Sequence, residues 1–308
     1  MSCNMKFRLY PDCQLVRGRS RDAIYDLTRN DIYLISHDVS SCISNGILDL
    51  ELLPTERRDE TVDFFIRNEL GRFNMPHEII SISDEYISPS IISNSIVEIG
   101  NFNLPLDKVA FELSELICDS ICLIFLEHES LERIVSAAIN FDGLSMTSIE
   151  ICLQYEETVF NKIKSIIDDI SLCTRVNVFN SPSFYCDSYK DIPIKYVGGK
   201  HFCEESYRKD FSVYANSNLP LYCESLHHNN CLNRKVVINQ FGDIKNCPYS
   251  DNVYGNINEV SLKEVVLKDA FQKHWFYDYD DSQKCGVCEL RYACQHCDLL
   301  SKFCIYPV

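Results

Sequence analysis

The sequence is poor in basic residues. Only 29 of its 308 residues are Lys or Arg, against 45 Asp or Glu, which gives a formal net charge of −16. Such a chain would repel a phosphate backbone unless its cations were gathered on one face, and no basic run is present. We therefore expect no nucleic-acid partner.

Long apolar runs are also missing. No stretch of eighteen apolar residues occurs, so we expect no membrane partner. The first residues, MSCNMKFRLYPDC, contain no apolar core of signal-peptide length. Glycine and proline are scarce, with 10 of each, as is typical of folded domains rather than linkers. These absences together predict a folded cytoplasmic protein.

Signatures of several common enzyme classes are absent as well. The chain contains no Gly-rich phosphate loop, no GXSXG and no HEXXH. The sequence therefore assigns no catalytic residue and no site for an organic cofactor, and it does not decide whether the chain is an enzyme.

Hydrophobic periodicity divides the chain into three predicted domains. In residues 1–85, strand-like alternation in KFRLY, QLVRG, AIYDL and DIYLI precedes helical segments. The segment DETVDFFIRNEL predicts a helix that ends at Gly71. Its apolar residues fall on one predicted face: Val62, Phe65, Ile66 and Leu70.

Residues 86–205 alternate short apolar strands with amphipathic helices, which predicts a parallel sheet with right-handed crossovers. The segment is too short for a closed eight-stranded barrel, so we expect a truncated (β/α) partial barrel or an open sheet. Residues 206–308 consist of short strands and loops. There, a hairpin is predicted to turn at Gly242, and a capping box of Ser261 and Glu264 to start a helix.

Cysteine is abundant, with 17 residues, and in a reducing compartment such an excess indicates metal or redox chemistry. Nine are scattered singly among apolar residues and are predicted to be core residues. The other eight could fill two four-thiolate sites; iron–sulfur clusters are favoured, with structural zinc as the alternative. These eight are Cys223, Cys231, Cys247, Cys285, Cys288, Cys294, Cys297 and Cys304.

The cysteine order resembles that of the SPASM domain of peptide-modifying radical SAM enzymes. That domain has CX9–15GX4C, a gap, CX2CX5CX3C, a gap and a final C. This chain has CLNRKVVINQFGDIKNC and CGVCELRYACQHC, and departs from the pattern by one residue in the last spacing. The segments YGNINEVSLKEVV and CELRYAC are also similar to the family's linker helix and its CEFRYxC.

The resemblance implies two [4Fe–4S] clusters. One would be held by Cys285, Cys288, Cys294 and Cys304. The other would be held by Cys231, Cys247 and Cys297, with Cys223 as the fourth ligand and His227 or His228 as alternatives to it.

The CX3CX2C motif that holds the catalytic cluster of radical SAM enzymes is missing. Its nearest approach is Cys118, Cys122 and then Phe125, and phenylalanine cannot bind iron. Both cysteines are therefore predicted to be core residues, and no S-adenosylmethionine is expected.

The chain lacks the CX3CX2C motif and has an acidic N-terminal segment and a predicted truncated barrel. In these features it resembles the SPASM-domain peptide maturases of grasp-with-spasm systems. Such proteins are encoded beside an ATP-grasp ligase and a small precursor peptide. The implied fold is α/β, with a winged-helix-like peptide-recognition module, a partial barrel and an iron–sulfur SPASM domain. Residues 1–85 would bind the leader of the precursor, or would serve only as a packing domain.

Three hypotheses follow from the sequence. The first is maturation of a ribosomally synthesised, post-translationally modified peptide, in which the chain binds the precursor and acts with the partner ligase. The second is a stand-alone iron–sulfur enzyme that modifies peptides. The third is a binding scaffold stabilised by metal, zinc included.

Overall fold

The chain has a mixed α/β fold, as its hydrophobic periodicity predicts. The computed structural model describes residues 6–75, 82, 85, 87–198, 217–276, 279–280 and 282–294. The strands form three sheets of four, nine and three strands. None of the helices in these ranges combines the length and the apolar character needed to cross a bilayer.

Residues 6–73 form two small antiparallel sheets and two helices. The elements are β1 (Lys6–Leu9), β2 (Cys13–Val16), β3 (Asp22–Asp26), β4 (Asp31–Ile35), α1 (His37–Ser40), β5 (Ile43–Ser44), β6 (Ile47–Asp49), α2 (Thr55–Arg67) and β7 (Gly71–Phe73). The strand order is β5-β6-β1-β7 in one sheet and β2-β3-β4 in the other. A Cβ at Gly71 would stand 2.1 Å from the carbonyl oxygen of Arg8, so the pairing of β7 with β1 requires glycine there.

The helix predicted from DETVDFFIRNEL is present as α2, with two corrections. It ends at Arg67, so Leu70 lies beyond it and is buried between the helix and β7. Its buried side chains are Thr61 and Phe65, whereas Ile66 is 50% exposed. The predicted apolar face is therefore not uniformly buried, because Ile66 lies about 100° around the helix axis from Phe65.

Residues 94–196 alternate strands and helices. The elements are β8 (Asn94–Ile99), α3 (Leu106–Glu115), β9 (Ser120–Phe125), α4 (Leu131–Ile139), β10 (Ser148–Gln154), α5 (Val159–Asp169), β11 (Cys173–Phe179), β12 (Tyr185–Tyr189) and β13 (Ile192–Tyr196). Neighbouring strands β8, β9, β10, β11 and β13 run parallel, and β12 pairs antiparallel with β13. The crossover helices α3, α4 and α5 return the chain to the same end of the sheet between β8 and β11.

The two faces of this sheet differ. Helices α3, α4 and α5 cover one face, where alternate strand residues such as Leu123, Ile151 and Val178 join the main core. On the opposite face, a separate apolar cluster contains Ile124 and Phe179. Intervening positions on that second face carry thiol and polar side chains.

The C-terminal segment extends the same sheet. Its elements are α6 (Leu219–Ser225), β14 (Lys235–Ile238), β15 (Asp243–Lys245), β16 (Gly255–Asn256), α7 (Leu262–Val266) and α8 (Asp269–Gln272). The hairpin of β14 and β15 turns at Gly242, whose φ of +86° suits glycine, and the capping box of Ser261 and Glu264 starts α7, both as predicted. Strand β14 pairs in parallel with β8, which gives the sheet order β12-β13-β11-β10-β9-β8-β14-β15-β16.

Candidate metal centre

The eight cysteines predicted to bind metal are called the cysteine array here, with Cys223, Cys231 and Cys247 as its first half and the cysteines from Cys285 onward as its second. Six of the eight lie in the described residues. They are Cys223 in α6, Cys231 before β14, Cys247 after β15, Cys285 in a 3₁₀ turn (Cys285–Val287), and Cys288 and Cys294 beyond it. The other two, Cys297 and Cys304, lie outside the described residues.

The hairpin positions Cys231 and Cys247 together. One precedes β14 and the other follows β15, so the antiparallel pairing brings them to the same end, where they pack with Leu232. Burial raises the pKa of the Cys247 thiol, and negative charge on Cys231 raises it further. Lys235 Nζ lies 3.8 Å from Cys231 Sγ and donates a hydrogen bond to it. A cation beside these sulfurs favours their thiolate forms, which are the metal-binding forms.

A second group of array cysteines lies near the buried ring of Tyr25 in β3. Burial raises the pKa of the Tyr25 phenol, and negative charge on Cys288 and on Cys294 raises it further. The backbone N–H of Leu290 donates a hydrogen bond to Cys288 Sγ at 3.4 Å. An amide directed at a cysteine sulfur stabilises the thiolate and is a feature of iron–sulfur ligation.

Tyr279 links the two cysteine groups. Its hydroxyl donates to Asn230 Oδ1 at 2.6 Å, next to Cys231. Burial raises the pKa of its phenol, and negative charge on three cysteines raises it further: Cys231, Cys294 and Cys285. Tyr279 also belongs to the apolar cluster against which Cys285 packs, so this one side chain connects the Cys231 region with the Cys285 region.

The N-terminal sheet packs against the second cysteine group. Val16, Ala23 and Tyr25 share a buried cluster with Tyr279 and Tyr292. The contact is polar as well as apolar, since Tyr25 hydroxyl donates to the Glu289 carbonyl oxygen at 2.8 Å and Arg21 Nε donates to Glu289 Oε1 at 2.7 Å. Strand β3 is consequently buried on both faces, with Ile24 facing the N-terminal core.

Of the three predicted candidates for the fourth ligand of the Cys231 group, His227 is exposed, whereas Cys223 is buried and His228 is partly buried. Cys223 is 5% exposed on α6, a helix capped by Asn218, whose side chain accepts a hydrogen bond from Leu221 N. His228 follows the helix; burial lowers its pKa, and its Nδ1 atom is buried without a hydrogen-bond partner. The assignment of Cys223 as the fourth ligand, with His227 or His228 as alternatives to it, stays a prediction.

Buried polar atoms without partners cluster in this segment. Within the described part of residues 217–276, six side-chain atoms are buried and make no hydrogen bond: His228 Nδ1, Asn230 Nδ2, Asn233 Oδ1, Trp275 Nε1 and both amide atoms of Asn246. Leaving such groups unpaired costs about 1–3 kcal/mol each, so a native interior rarely contains many of them. A bound group that accepts hydrogen bonds, as the sulfur atoms of a cluster do, would supply partners for the donors among them.

A third set of ligating side chains lies on the sheet face opposite α3, α4 and α5. Within the residues that the structure describes, one group of three has all its ligand atoms within 4.8 Å of one another: Cys122, Glu150 and Cys152. Cys122 Sγ and Cys152 Sγ are 3.5 Å apart. Asn177 on β11 donates through Nδ2 to Glu150 Oε1 and, at 3.7 Å, to Cys152 Sγ.

The side chains of Cys122, Glu150 and Cys152 all have raised pKa values. The hydrogen bond with Cys152 and burial raise the pKa of Cys122 well above its ordinary value, and burial raises the pKa of Cys152. Burial raises the pKa of Glu150, while the charges of nearby basic residues oppose that rise; these are Arg175, Lys195 and Lys235.

The prediction that Cys118 and Cys122 are both core residues is half correct. Cys118 is fully buried in the helix-covered core, where its thiol donates to Ser120 O and Ser95 Oγ. Cys122 is partly exposed on the other face, beside Cys152. The sequence carried a signal of this arrangement, because alternation in SIEICLQ places Glu150 and Cys152 on one face of a strand.

The chain thus combines a cysteine-rich C-terminal segment with a separate Cys-Glu-Cys triad, and both features fit metal binding. No protein-family model matches the chain, and no curated protein matches it significantly in sequence.

Proposed function

We propose that the chain matures a ribosomally synthesised peptide, binding the precursor and acting with a partner ATP-grasp ligase. The observation that carries the proposal is the position of Tyr279, which hydrogen-bonds Asn230 beside Cys231 and shares an apolar cluster with Cys285. Separate cysteine pairs converge in this way when they share metal sites. The same cysteines have a SPASM-like spacing, and this spacing supports a role of the chain in peptide maturation.

The residues present fit two [4Fe–4S] clusters. One set would be Cys285, Cys288 and Cys294 with Cys304; the other would be Cys231, Cys247 and Cys297 with Cys223. When bound, such clusters supply electron transfer or Lewis-acid chemistry. The unpaired donors of residues 228–275 and the amide on Cys288 Sγ are the hydrogen-bond environment that cluster sulfurs need.

The chain's own residues shape this centre. The rings of Tyr25 and Tyr279 are buried and form one side of the region that holds the cysteines. Lys235 holds positive charge at Cys231. That charge favours the deprotonated, metal-binding form of the cysteine over the free thiol.

The large sheet supports a role without cleavage of S-adenosylmethionine. Its parallel strands, with helices on one face, are the arrangement of a partial (β/α) barrel. Cys118 and Cys122 lie on opposite faces of that sheet and so do not converge on one iron.

The N-terminal sheet offers an edge for the leader peptide. Strand β4 pairs only with β3 in the described residues, and beyond the Asp31 carbonyl, which accepts a hydrogen bond from Ser217, its other side offers main-chain groups to an added strand. Leu34 on β4 is 42% exposed and would contact the peptide. Phe65 and Leu70 of the predicted apolar helix face are fully buried, so a peptide added at this edge would not contact them.

Reconstitution of the peptide modification from purified components tests the proposal. The chain would be purified anaerobically and incubated with the ATP-grasp ligase, the precursor encoded beside it and ATP, and the peptide would be examined by mass spectrometry. We expect a mass change that requires both proteins, and loss of that change with Cys288→Ala. Modification by the ligase alone at an equal rate would contradict the role of this chain.

A further inference from the structure

The triad of Cys122, Glu150 and Cys152 lies apart from the cysteine array, on strands β9 and β10 of the large sheet. From its geometry we infer that these three side chains hold one divalent zinc ion, with a fourth coordination position open to an oxygen-donor ligand.

The distances suit a tetrahedral zinc ion. Two sulfurs each about 2.3 Å from zinc lie about 3.7 Å apart when the angle between them is tetrahedral. The observed separation of Cys122 Sγ and Cys152 Sγ is 3.5 Å, and the carboxylate oxygen of Glu150 completes a set within 4.8 Å. Small rotamer adjustments would bring all three to bonding distance.

A disulfide does not explain the pair of thiols. Cys122 is in register with Glu150, and Cys152 with Ile124, so the two cysteines are offset by two positions on adjacent parallel strands. With strands about 4.8 Å apart and a rise of about 3.3 Å per residue, their Cα atoms are about 8 Å apart. A disulfide spans at most about 7 Å between Cα atoms. The side chains can therefore share a metal but cannot readily form a covalent bond.

Asn177 supplies the support that metal ligands require. Its amide N–H₂ donates to both Glu150 and Cys152, which fixes the orientation of two of the three ligands. The residue is fully buried, and its Oδ1 atom has no hydrogen-bond partner. Water in the open coordination position would be a donor of the kind that this atom lacks.

Charge and access also favour an ion here. Two thiolates, one carboxylate and a divalent cation sum to a single negative charge, and two basic residues lie on the neighbouring strands: Arg175 in register with Glu150, and Lys195 in register with Asn177. Cys122 and Glu150 are partly exposed, so an ion and a fourth ligand can enter from that face. Three protein ligands with an accessible fourth position are typical of catalytic rather than structural zinc.

Metal analysis of the full-length protein tests this assignment. Zinc bound per chain would be measured for the parent, Glu150→Gln and Cys122→Ser after dialysis against limiting zinc. Each variant is expected to bind one zinc ion fewer than the parent, with affinity at that site reduced at least about tenfold. Asn177→Ala should weaken the same site by about 10–100-fold without abolishing it.

Two control variants show whether a loss of zinc comes from this site. Cys118 precedes β9 and is buried in the core on the opposite face of the sheet. Cys118→Ser should therefore leave the zinc content unchanged. Cys288→Ala should lower metal content in the array but keep the triad's zinc, so failure of the array assignment is distinguishable from failure of this one. Cobalt substitution should give thiolate-to-cobalt charge-transfer absorption that Glu150→Gln alters and Cys118→Ser does not. Equal zinc content and cobalt spectra in the parent and in folded Glu150→Gln and Cys122→Ser proteins would overturn the inference.

Discussion

The hydroxyl of Tyr25 in the N-terminal sheet donates a hydrogen bond to the carbonyl oxygen of Glu289, the residue after Cys288, at 2.8 Å. The bond is buried and joins parts of the chain that lie at opposite ends of the sequence. A sheet predicted to serve peptide recognition is thereby connected to the backbone that positions the array cysteines.

Tyr25→Phe should destabilise the protein by about 1–3 kcal/mol, because the Glu289 carbonyl would lose its buried donor. Urea unfolding would measure the loss, and hydrogen exchange should increase in residues 282–294 as well as in β3. Tyr33→Phe is the matched control, since that hydroxyl is exposed and makes only a 3.5 Å contact with Asp31. Equal stability of the two variants would show that the Tyr25 bond contributes little.

Anaerobically purified protein should contain roughly eight irons per chain, as two cubane clusters require. Cys288→Ala should lose about half of this iron and lower the thermal unfolding temperature, because metal binding contributes to folding free energy. Cys186→Ala, at an exposed cysteine in β12, should retain the full content. Zinc in place of iron at the array would instead identify a metal-stabilised scaffold.

Leu34→Asp should weaken binding of the precursor leader at least about tenfold, because a charge on the edge strand would be desolvated under the added peptide. Isothermal titration calorimetry with the synthetic leader measures the effect. Leu52→Asp provides a control, since Leu52 is even more exposed, at 66%, but lies outside β4. If both variants bind like the parent, the leader site lies elsewhere and the N-terminal sheet is a packing element.

His37 and Asp22 should make stability depend on pH. The hydrogen bond with Asp22 raises the pKa of His37 above 6.5, while hydrogen bonds from Ser40, Gly18 and His37 outweigh burial and lower the pKa of Asp22 below 3.8. The contribution of His37 is therefore full below pH 6.5 and is lost as the pH rises through its raised pKa. The contribution of Asp22 is present above pH 3.8 and is lost as the pH falls through its lowered pKa.

Thermal unfolding of the parent and His37→Gln between roughly pH 5 and 8 measures this dependence. The parent should lose stability relative to the variant as the pH rises through that interval. In Asp22→Asn, the pKa of His37 measured by NMR should return towards 6.5. Parallel stability curves for parent and His37→Gln would contradict the coupling.

Local sequence patterns were sufficient for much of the fold. Alternating apolar residues located β1 to β4, and helical spacing and the capping box located α2 and α7, because these signals act through neighbouring residues. The hairpin turn at Gly242 could also be predicted from the sequence, because its backbone conformation suits glycine. The cysteine spacing likewise predicts a metal-binding segment, and that stays a prediction.

Pairings between distant residues were decided only by the tertiary structure. Sequence could not show that β14 would pair with β8, nor that Tyr25 would lie beside Cys288 and Cys294, because such contacts depend on which surfaces remain to be covered after local structure forms. The triad is the clearest case. Alternation places Glu150 and Cys152 on one face, but the register of β9 against β10 is what brings Cys122 to them, and register is set by packing across strands.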